Sequence, residues 1–285
     1  MYAAFVAVAF SSALTPIVDL PSLFWGIDPP VLVVEADTRL KPKRDRAVVC
    51  VHGLLPHLFN PDRAAKPEAH DWQQKDSRLV RAISDDSDVF GFSYAQTRSV
   101  DDVTYCRGLR DGVAAIRAAG YKEIVLVGHS AGGVIARRFV ETFPDSGVTK
   151  VIAVACPFTG SKWANLPGFT LPRKQVAFIH SLSPEVREAA EKARDVRLPA
   201  DVEFGVVLCQ ANRGDGDTVV GLRSQWPEEL QKQGVPVVVA SCTHTEAMLC
   251  EPVAREVTKL LGGRILKWES DQTAQARRVL FGEKK

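Results

Sequence analysis

Short apolar segments rich in β-branched residues alternate with segments of helical periodicity from about residue 31 onward. Each apolar segment is nearly continuous, which is typical of a strand that is buried on both faces of a sheet. We predict strands at 31–35, 47–51, 88–94, 124–127, 151–155, 204–208 and 235–240. Because strands that alternate with helices usually pair in parallel, the sequence predicts an α/β fold with a mainly parallel central sheet flanked by helices.

The spacing of these strands indicates one domain with an insertion. A chain of 285 residues is long enough for one large domain or for a domain with a modest insertion. About 48 residues separate the strand at 151–155 from the strand at 204–208, which is more than a crossover connection requires. We therefore expect one α/β domain over 31–285, with a small cap-like or lid-like insertion at about 157–200.

Helical periodicity is clearest in two further regions. Apolar positions at helical spacing predict one helix that starts at Asp101 and ends at Gly120. A final helix is predicted over about 246–261, after the last strand.

The N-terminal segment 1–30 begins with 18 uncharged residues, and an apolar run covers 2–10. A secretory signal would have a positive n-region, which is absent here, although 11–13 could serve as a small-residue cleavage site. A transmembrane helix would need about 20 firmly apolar residues, and Ser11, Ser12 and Pro16 interrupt this stretch. The third alternative is an apolar element that packs on the domain or near the mouth of its pocket. We expect no stable membrane insertion and favour a cytoplasmic location, with secretion as the alternative if the segment is a signal.

Composition and charge restrict the partners. The chain is 46% hydrophobic and 25% charged with a net charge of +2, and its Lys and Arg residues are spread out, so we expect no nucleic-acid partner. Several of the six cysteines lie within apolar runs, where free thiols act as small core residues. A disulfide between Cys242 and Cys250 is the alternative. No Cys/His spacing is typical of zinc, and we expect neither a metal nor a cofactor.

One turn of the chain carries a strong chemical signal. The segment 128–132 (GHSAG) follows the buried strand at 124–127 and precedes a predicted helix over 134–143. Glycines relieve the crowding of an abrupt strand-to-helix turn, which leaves the serine exposed above the sheet in a strained conformation. The beginning of the helix also supplies free N–H groups and the positive end of a dipole for an oxyanion. We therefore predict that Ser130 is a nucleophile.

Several segments together resemble one known family. The segment 128–133 (GHSAGG) resembles the nucleophile elbow of α/β-hydrolase lipases and esterases, and 48–54 (VVCVHGL) resembles their third strand and His-Gly oxyanion motif. The segment 156–164 (CPFTGSKWA) is similar to a T-P-x-x-G-S-x-x-A segment of triacylglycerol lipases and of lipase-like GPI inositol-deacylases. The segment 215–220 (DGDTVV) resembles the acid-bearing turn, and His244 lies where the family places its histidine. The resemblance implies the α/β-hydrolase fold, with serine, acid and histidine in that chain order.

A serine hydroxyl needs an imidazole to take its proton, and the imidazole needs a carboxylate. His244 follows the last predicted strand, so it lies at the carboxyl edge of the sheet, where α/β folds gather reactive groups. Asp215 and Asp217 both follow the strand at 204–208. Asp217 fits the D-x-x-V form that the resemblance implies, and Asp215 stays open as the alternative acid. We therefore expect Ser130, Asp217 and His244 to be the catalytic residues.

A tetrahedral intermediate also needs two hydrogen-bond donors for its oxyanion. By position these are the backbone N–H groups of Ala131, directly after the nucleophile, and of Leu54, directly after His52 and Gly53. The side chain of Leu54 could equally be a pocket wall. Gln96, near the carboxyl end of its strand, is expected to border the pocket.

The insertion supplies three apolar candidates for a substrate pocket, namely Trp163, Leu166 and Phe169. An apolar flap over the serine would suit an acyl chain, since each buried CH₂ contributes about 0.8 kcal/mol. The alternative is a small helical cap that packs on the core.

These residues predict a serine lipase or esterase that hydrolyses small-molecule or lipid carboxylic esters through an acyl-serine intermediate. An acyltransferase or thioesterase with the same triad is the alternative, because a covalent acyl-enzyme is common to both. A non-catalytic member of the fold that binds a ligand is disfavoured by the complete set of Ser, Asp and His. The absence of clustered ligands disfavours a metal-dependent hydrolase.

Overall fold

The computed structural model describes 42–167, 171–193, 197–212 and 214–282, together with the backbone of 31–33. The N-terminal segment 1–30 and the pocket candidate Phe169 lie outside the described residues. The division of the chain into that segment and a domain over 31–285 therefore stays a prediction.

One sheet runs through the described part of the chain. Its strands are β1 (Val31–Val33), β2 (Arg46–Val51), β3 (Ser87–Tyr94), β4 (Glu123–His129), β5 (Lys150–Val154), β6 (Glu203–Gln210) and β7 (Val237–Ser241). They lie in the order β1-β3-β2-β4-β5-β6-β7. β1 pairs with β3 in the antiparallel direction, and the other neighbours are parallel. All the predicted strands are present, and the predicted α/β fold with a mainly parallel sheet is confirmed.

The helices of the described residues lie between and after these strands. They are α1 (Arg78–Ile83), α2 (Val100–Tyr105), α3 (Arg107–Ala118), α4 (Ala131–Thr142), α5 (Val176–His180), α6 (Pro184–Lys192), α7 (Leu222–Gln225), α8 (Glu228–Lys232), α9 (Glu251–Gly262) and α10 (Ser270–Phe281).

The helical predictions differ from the structure at several points. The single helix expected from Asp101 to Gly120 is two helices, because Cys106 is extended (φ −64°, ψ 144°) and separates α2 from α3. The final predicted helix begins at Glu251 instead of 246, since Pro252 has no N–H and fits only the first turn of a helix. α10, which follows it, was not predicted.

The sheet is covered on both faces. Successive residues of a strand point to opposite faces, and in β2 the side chains of Val48 and Val49 illustrate this alternation. Val49 belongs to a buried cluster with residues of α3 and α4, whereas Val48 belongs to a second cluster with residues of α1 and α9. The loops at the carboxyl ends of the parallel strands are left at one edge, which is where such folds place their reactive groups.

Most of the cysteines are part of this core. All six are free thiols, and five of them are buried. Cys50 in β2 has no exposed surface, and burial raises the pKa of its thiol to about 12. Cys242 and Cys250 form no disulfide, so the thiols act as small hydrophobic side chains.

Between β5 and β6 the chain forms a 3₁₀ turn at Lys162–Asn165 and the helices α5 and α6. Phe178 of α5 is fully buried, with its ring centroid 5.9 Å from that of Tyr94. Arg187 of α6 is also buried, and its guanidinium lies 2.6 Å from the carboxylate of Asp101. These contacts attach α5 and α6 to the rest of the described chain.

Candidate active site

Ser130 occupies the sharp turn between β4 and α4. Its backbone has φ 54° and ψ −126°, a conformation that costs free energy for a residue with a Cβ atom. The N–H of Ser130 donates to the carbonyl of Val154 at 2.9 Å, and the N–H of Gly133 donates to the carbonyl of Ser130 at 3.0 Å. These bonds hold the serine in the strained turn.

The glycines after Ser130 are required by close packing. A Cβ atom at Gly132 would overlap the carbonyl oxygen of Val51, and one at Gly133 would overlap Sγ of Cys156. The end of β2 and the residues after β5 therefore lie too close to the turn for any side chain there.

Side chains from three separate loops meet at the carboxyl edge of the sheet. Nε2 of His244 lies 2.9 Å from Oγ of Ser130, and Nδ1 of His244 lies 2.7 Å from Oδ2 of Asp217. When Nδ1 carries the proton and donates to Asp217, Nε2 presents its lone pair to the serine hydroxyl. This arrangement can remove the proton of Ser130 and produce a nucleophile.

Asp217 is fully buried and is held by the backbone around it. Its Oδ1 accepts the N–H groups of Val219 at 3.0 Å and of Val220 at 2.7 Å, and its carbonyl accepts the N–H of His244 at 2.7 Å. These bonds leave Oδ2 for the imidazole. Asp215 is exposed, so the structure brings Asp217 and not Asp215 to the histidine.

The two expected oxyanion donors lie close to the nucleophile, one directly after it in the chain and one on the loop that follows β2. Among the described residues, the N–H groups of Leu54 and Ala131 donate to no protein acceptor. Gly53 lies directly against Ser130, since a Cβ on Gly53 would be 2.6 Å from Cβ and 3.2 Å from Oγ of the serine. Leu54 follows at the next position. Free N–H groups beside a nucleophile can bind an oxyanion.

Three histidines pack beside the site, two of them buried (His52 and His129) and His70 partly buried, and the sequence did not indicate this group. The ring of His52 stacks on Tyr94 with centroids 4.4 Å apart and lies 4.7 Å from His70, while His129 lies 5.0 Å from His244. Burial, with a contribution from His70, lowers the pKa of His52 to about 3. Burial and the neighbouring imidazoles lower the pKa of His129 well below its usual value, and burial also lowers the pKa of His70. These three imidazoles are therefore neutral near pH 7.

The predicted pocket residues that the structure describes are exposed. Trp163 is 58% exposed, and its Nε1–H donates to the carbonyl of Thr218 at 3.3 Å, which places it beside the loop of Asp217. Leu166 is 38% exposed. Phe169 lies outside the described residues.

Gln96, which was expected to border the pocket, contacts the loop that carries one expected oxyanion donor. It is buried after β3, because its carboxamide is used in hydrogen bonds to the loop that carries Leu54. Gln175, which joins the same network, was missed by sequence reasoning. A lone polar residue in the insertion gives no local signal of such a role.

Among the residues that the structure describes, no group of three His, Cys, Asp or Glu side chains could hold a metal ion. No helix of the same residues is both long and apolar enough to cross a bilayer. The apolar segment 1–30 is not among the described residues.

Two bacterial proteins of known structure are similar to this chain in fold. The mature lipase BlEst2 of Bacillus licheniformis has a TM-score of 0.60 and 12% identity, covering 79% of this chain and 95% of that chain. Phospholipase PlaB of Legionella pneumophila has a TM-score of 0.55 and 15% identity, covering 83% of this chain and 63% of that chain. At these identities the likeness shows the fold alone. No curated protein sequence matches this chain.

A family model identifies the family of this chain, which the pairwise similarities do not. The model of the alpha/beta hydrolase family matches residues 48–281, which is most of the chain. The matched range contains Leu54, Ser130, Asp217 and His244. The resemblance noted in the sequence is confirmed, and the chain belongs to the alpha/beta hydrolase family.

Proposed function

We propose that this protein is a serine hydrolase that cleaves carboxylic esters, as a lipase or esterase, through an acyl-serine intermediate. The observation that carries the proposal is the chain of contacts from Ser130 through His244 to the buried Asp217, at 2.9 and 2.7 Å. Membership of the alpha/beta hydrolase family supports it. The names lipase and phospholipase, borne by two proteins that share the fold, fit an ester substrate.

The first half of the reaction acylates the enzyme. Oγ of Ser130 attacks the carbonyl carbon of the ester while Nε2 of His244 takes the hydroxyl proton, and Asp217 stabilises the imidazolium that forms. The N–H groups of Leu54 and Ala131 bind the negative oxygen of the tetrahedral intermediate. As the intermediate collapses, the alcohol leaves with the proton of His244, and the acyl group stays on Ser130.

The second half releases the acid. Water attacks the acyl-serine, and His244 takes one of its protons as general base. The same donors bind the second tetrahedral intermediate. Its collapse returns the proton to Oγ of Ser130 and frees the carboxylic acid.

Exposed apolar side chains support a substrate with an apolar acyl group. Leu58 is 59% exposed and Phe59 is fully exposed on the loop after β2, and Trp163 and Leu166 lie on the loop after β5. Both loops leave the carboxyl edge of the sheet, where Ser130 lies. An acyl chain that covers such side chains gains about 0.8 kcal/mol for each CH₂ removed from water.

A chain-length series of p-nitrophenyl esters tests the proposal on the wild type and on Ser130→Ala. We expect hydrolysis by the wild type and a fall in kcat of about 10⁶-fold in the variant, because the nucleophile is removed. A short-chain optimum identifies an esterase and a long-chain optimum a lipase. Release of free acid in the presence of an added alcohol distinguishes a hydrolase from an acyltransferase. Unchanged activity in Ser130→Ala contradicts the mechanism.

The acid is tested by a matched pair of variants. Asp217→Asn should lower kcat by about 10⁴-fold, because an amide at this position favours the wrong tautomer of the histidine. Asp215→Asn is the control at an exposed position in the same loop and should keep the wild-type kcat. Two fully active variants would show that the triad is wrong.

A further inference from the structure

The peptide group that joins Gly53 to Leu54 is oriented through its carbonyl. The carbonyl oxygen of Gly53 accepts hydrogen bonds from Nε2 of Gln96 and from Nδ1 of His52, both at 2.7 Å. In a trans peptide the C=O and the N–H point in opposite directions. Donors that hold the oxygen of Gly53 on one side therefore fix the direction of the Leu54 N–H on the other side.

Gln96 and Gln175 extend this hold along the loop. Oε1 of Gln96 accepts the N–H of Leu55 and the Nε2–H of Gln175, each at 2.9 Å. Nε2 of Gln175 also donates to the carbonyl of Leu55 at 2.8 Å, and its Oε1 accepts the N–H of His57 at 2.9 Å. The two carboxamides thus hold the backbone of the loop at three alternate residues, 53, 55 and 57, through four hydrogen bonds.

Both glutamines are withdrawn from water and come from distant parts of the chain. Gln96 is 3% exposed and follows β3, and Gln175 has no exposed surface and precedes α5 in the insertion. The loop at 53–57 has no helix or strand of its own, so its buried backbone groups need such partners. Since Gly53 lies directly against Ser130, any shift of this loop moves the N–H of Leu54 relative to the reacting carbonyl.

We propose that Gln96 and Gln175 are positioning residues that hold the N–H of Leu54 in place for the oxyanion, and that Gln175 thereby ties the insertion to the oxyanion site. This inference rests on the proposed function. The two glutamines act through the peptide group of Leu54 and not through contact with the ester.

The test replaces each glutamine by methionine, which keeps the length of the side chain and removes its hydrogen bonds. We expect kcat to fall by about 10²-fold in Gln96→Met, because a misplaced oxyanion donor resembles a lost one. In Gln175→Met, kcat should fall by about tenfold, because Gln175 does not contact the Gly53–Leu54 peptide group and acts through Gln96 and the rest of the loop. KM should stay within about twofold of the wild type in both, since the donor matters most in the transition state.

A matched control comes from another buried glutamine. Gln231 of α8 is 7% exposed and donates to the carbonyl of Trp226 at 2.7 Å. Gln231→Met should lower Tm and leave kcat per active site unchanged. Active sites are counted by titration with an alkyl fluorophosphonate, so that unfolded protein does not enter kcat.

Two further measurements separate positioning from stability. The inhibition constant of an alkyl trifluoromethyl ketone, whose adduct with a serine carries an oxyanion, should rise in parallel with the loss of kcat in Gln96→Met. The double variant should resemble Gln96→Met alone, because both residues belong to one network. Gln96→Glu keeps the acceptor for the N–H of Leu55 and removes the donor to Gly53, so it gives the same test if Gln96→Met does not fold.

The outcomes are distinct. A kcat per titrated site within about twofold of the wild type in the Gln96 variants overturns the inference. A loss confined to KM or to Tm, as in Gln231→Met, overturns it as well. A wild-type chain that neither reacts with the fluorophosphonate nor hydrolyses esters overturns the proposed function, and this inference with it.

Discussion

Ala131 and Leu54 offer the two N–H groups proposed to bind the oxyanion, and the chain holds them in different ways. The N–H of Ala131 is fixed by residues that are consecutive in the chain. The strained Ser130 comes first, and α4 follows at once, packed closely on the end of β2 and on the residues after β5. The N–H of Leu54 is fixed by carboxamides from distant positions, those of Gln96 and Gln175. The half of the site around Ala131 (the elbow) is therefore encoded by neighbouring residues, whereas the half around Leu54 (the loop) depends on tertiary contacts. Four predictions test this comparison.

Gly132→Ala should have the largest effect, because the locally encoded half cannot adjust. The new Cβ would overlap a backbone oxygen of β2, which cannot move without the strand. We expect a loss of at least about 1–3 kcal/mol in the free energy of unfolding and no measurable esterase activity. Denaturant unfolding and kcat check this.

The control for Gly132→Ala is Gly262→Ala, in the last turn of α9. Apart from its chain neighbours and the backbone of its own helix, no atom lies within 4 Å of the Cβ it would add. The stability should be unchanged or higher by up to about 1 kcal/mol. A Gly132→Ala protein as stable and active as this control would show that the turn does not require a glycine at this position.

Gly53→Ala tests the half that is held by side chains. Its Cβ would lie 2.6 Å from Cβ of Ser130, but the loop can move away where the elbow cannot. We expect kcat to fall by about 10²–10³-fold, as for the loss of one oxyanion donor, with a smaller loss of stability than in Gly132→Ala. A stability loss equal to that of Gly132→Ala, or an unchanged kcat, would remove the difference between the halves.

The two halves share a dependence on neutral histidines, since His52 lies on the loop and His129 in the elbow. The pKa values of His52, His129 and His70 are lowered in the folded protein, so below about pH 6.5 the unfolded chain binds protons that the folded chain does not. Stability should therefore fall with decreasing pH from about 6.5, by up to about 1.4 kcal/mol per pH unit for each imidazole.

Thermal unfolding between pH 7 and pH 4.5 measures this slope. His129→Leu removes one of the titrating groups. It should lower the number of protons taken up on unfolding by about one, and the slope of stability against pH should fall accordingly. His180→Asn, at an exposed position, is the control variant. Equal slopes in the wild type and His129→Leu would show that the elbow histidine does not contribute.

Trp163→Ala should have the smallest effect, because this residue lies at the rim outside both halves. At 58% exposure its loss should change the free energy of unfolding by no more than about 0.5 kcal/mol. KM for long-chain esters should rise by about two- to tenfold, with short-chain esters unaffected. Val279→Ala, which is exposed on α10, is the control. Equal KM changes for short and long chains would exclude an acyl-binding role.

The difference between the two halves also explains which parts of the fold and of the site could be predicted from the sequence. The strands could be predicted from nearly continuous apolar segments. The turn at Ser130 could be predicted because its glycines stand beside the serine in the sequence. Asp217 and His244 each follow a predicted strand, so the sequence could indicate that both lie at the carboxyl edge of the sheet, where they meet. Gln175 was not predictable, since its role depends on a contact with Gln96, 79 positions away. Side chains that act through tertiary hydrogen bonds leave no periodic or local pattern.

The most direct test of the acyl-serine route is mass spectrometry of the intact chain after brief reaction with an alkyl fluorophosphonate, followed by peptide mapping. We expect one adduct per chain on Oγ of Ser130, and no adduct in Ser130→Ala. An adduct on a different residue, or an active chain that stays unlabelled at Ser130, would contradict the acyl-serine route.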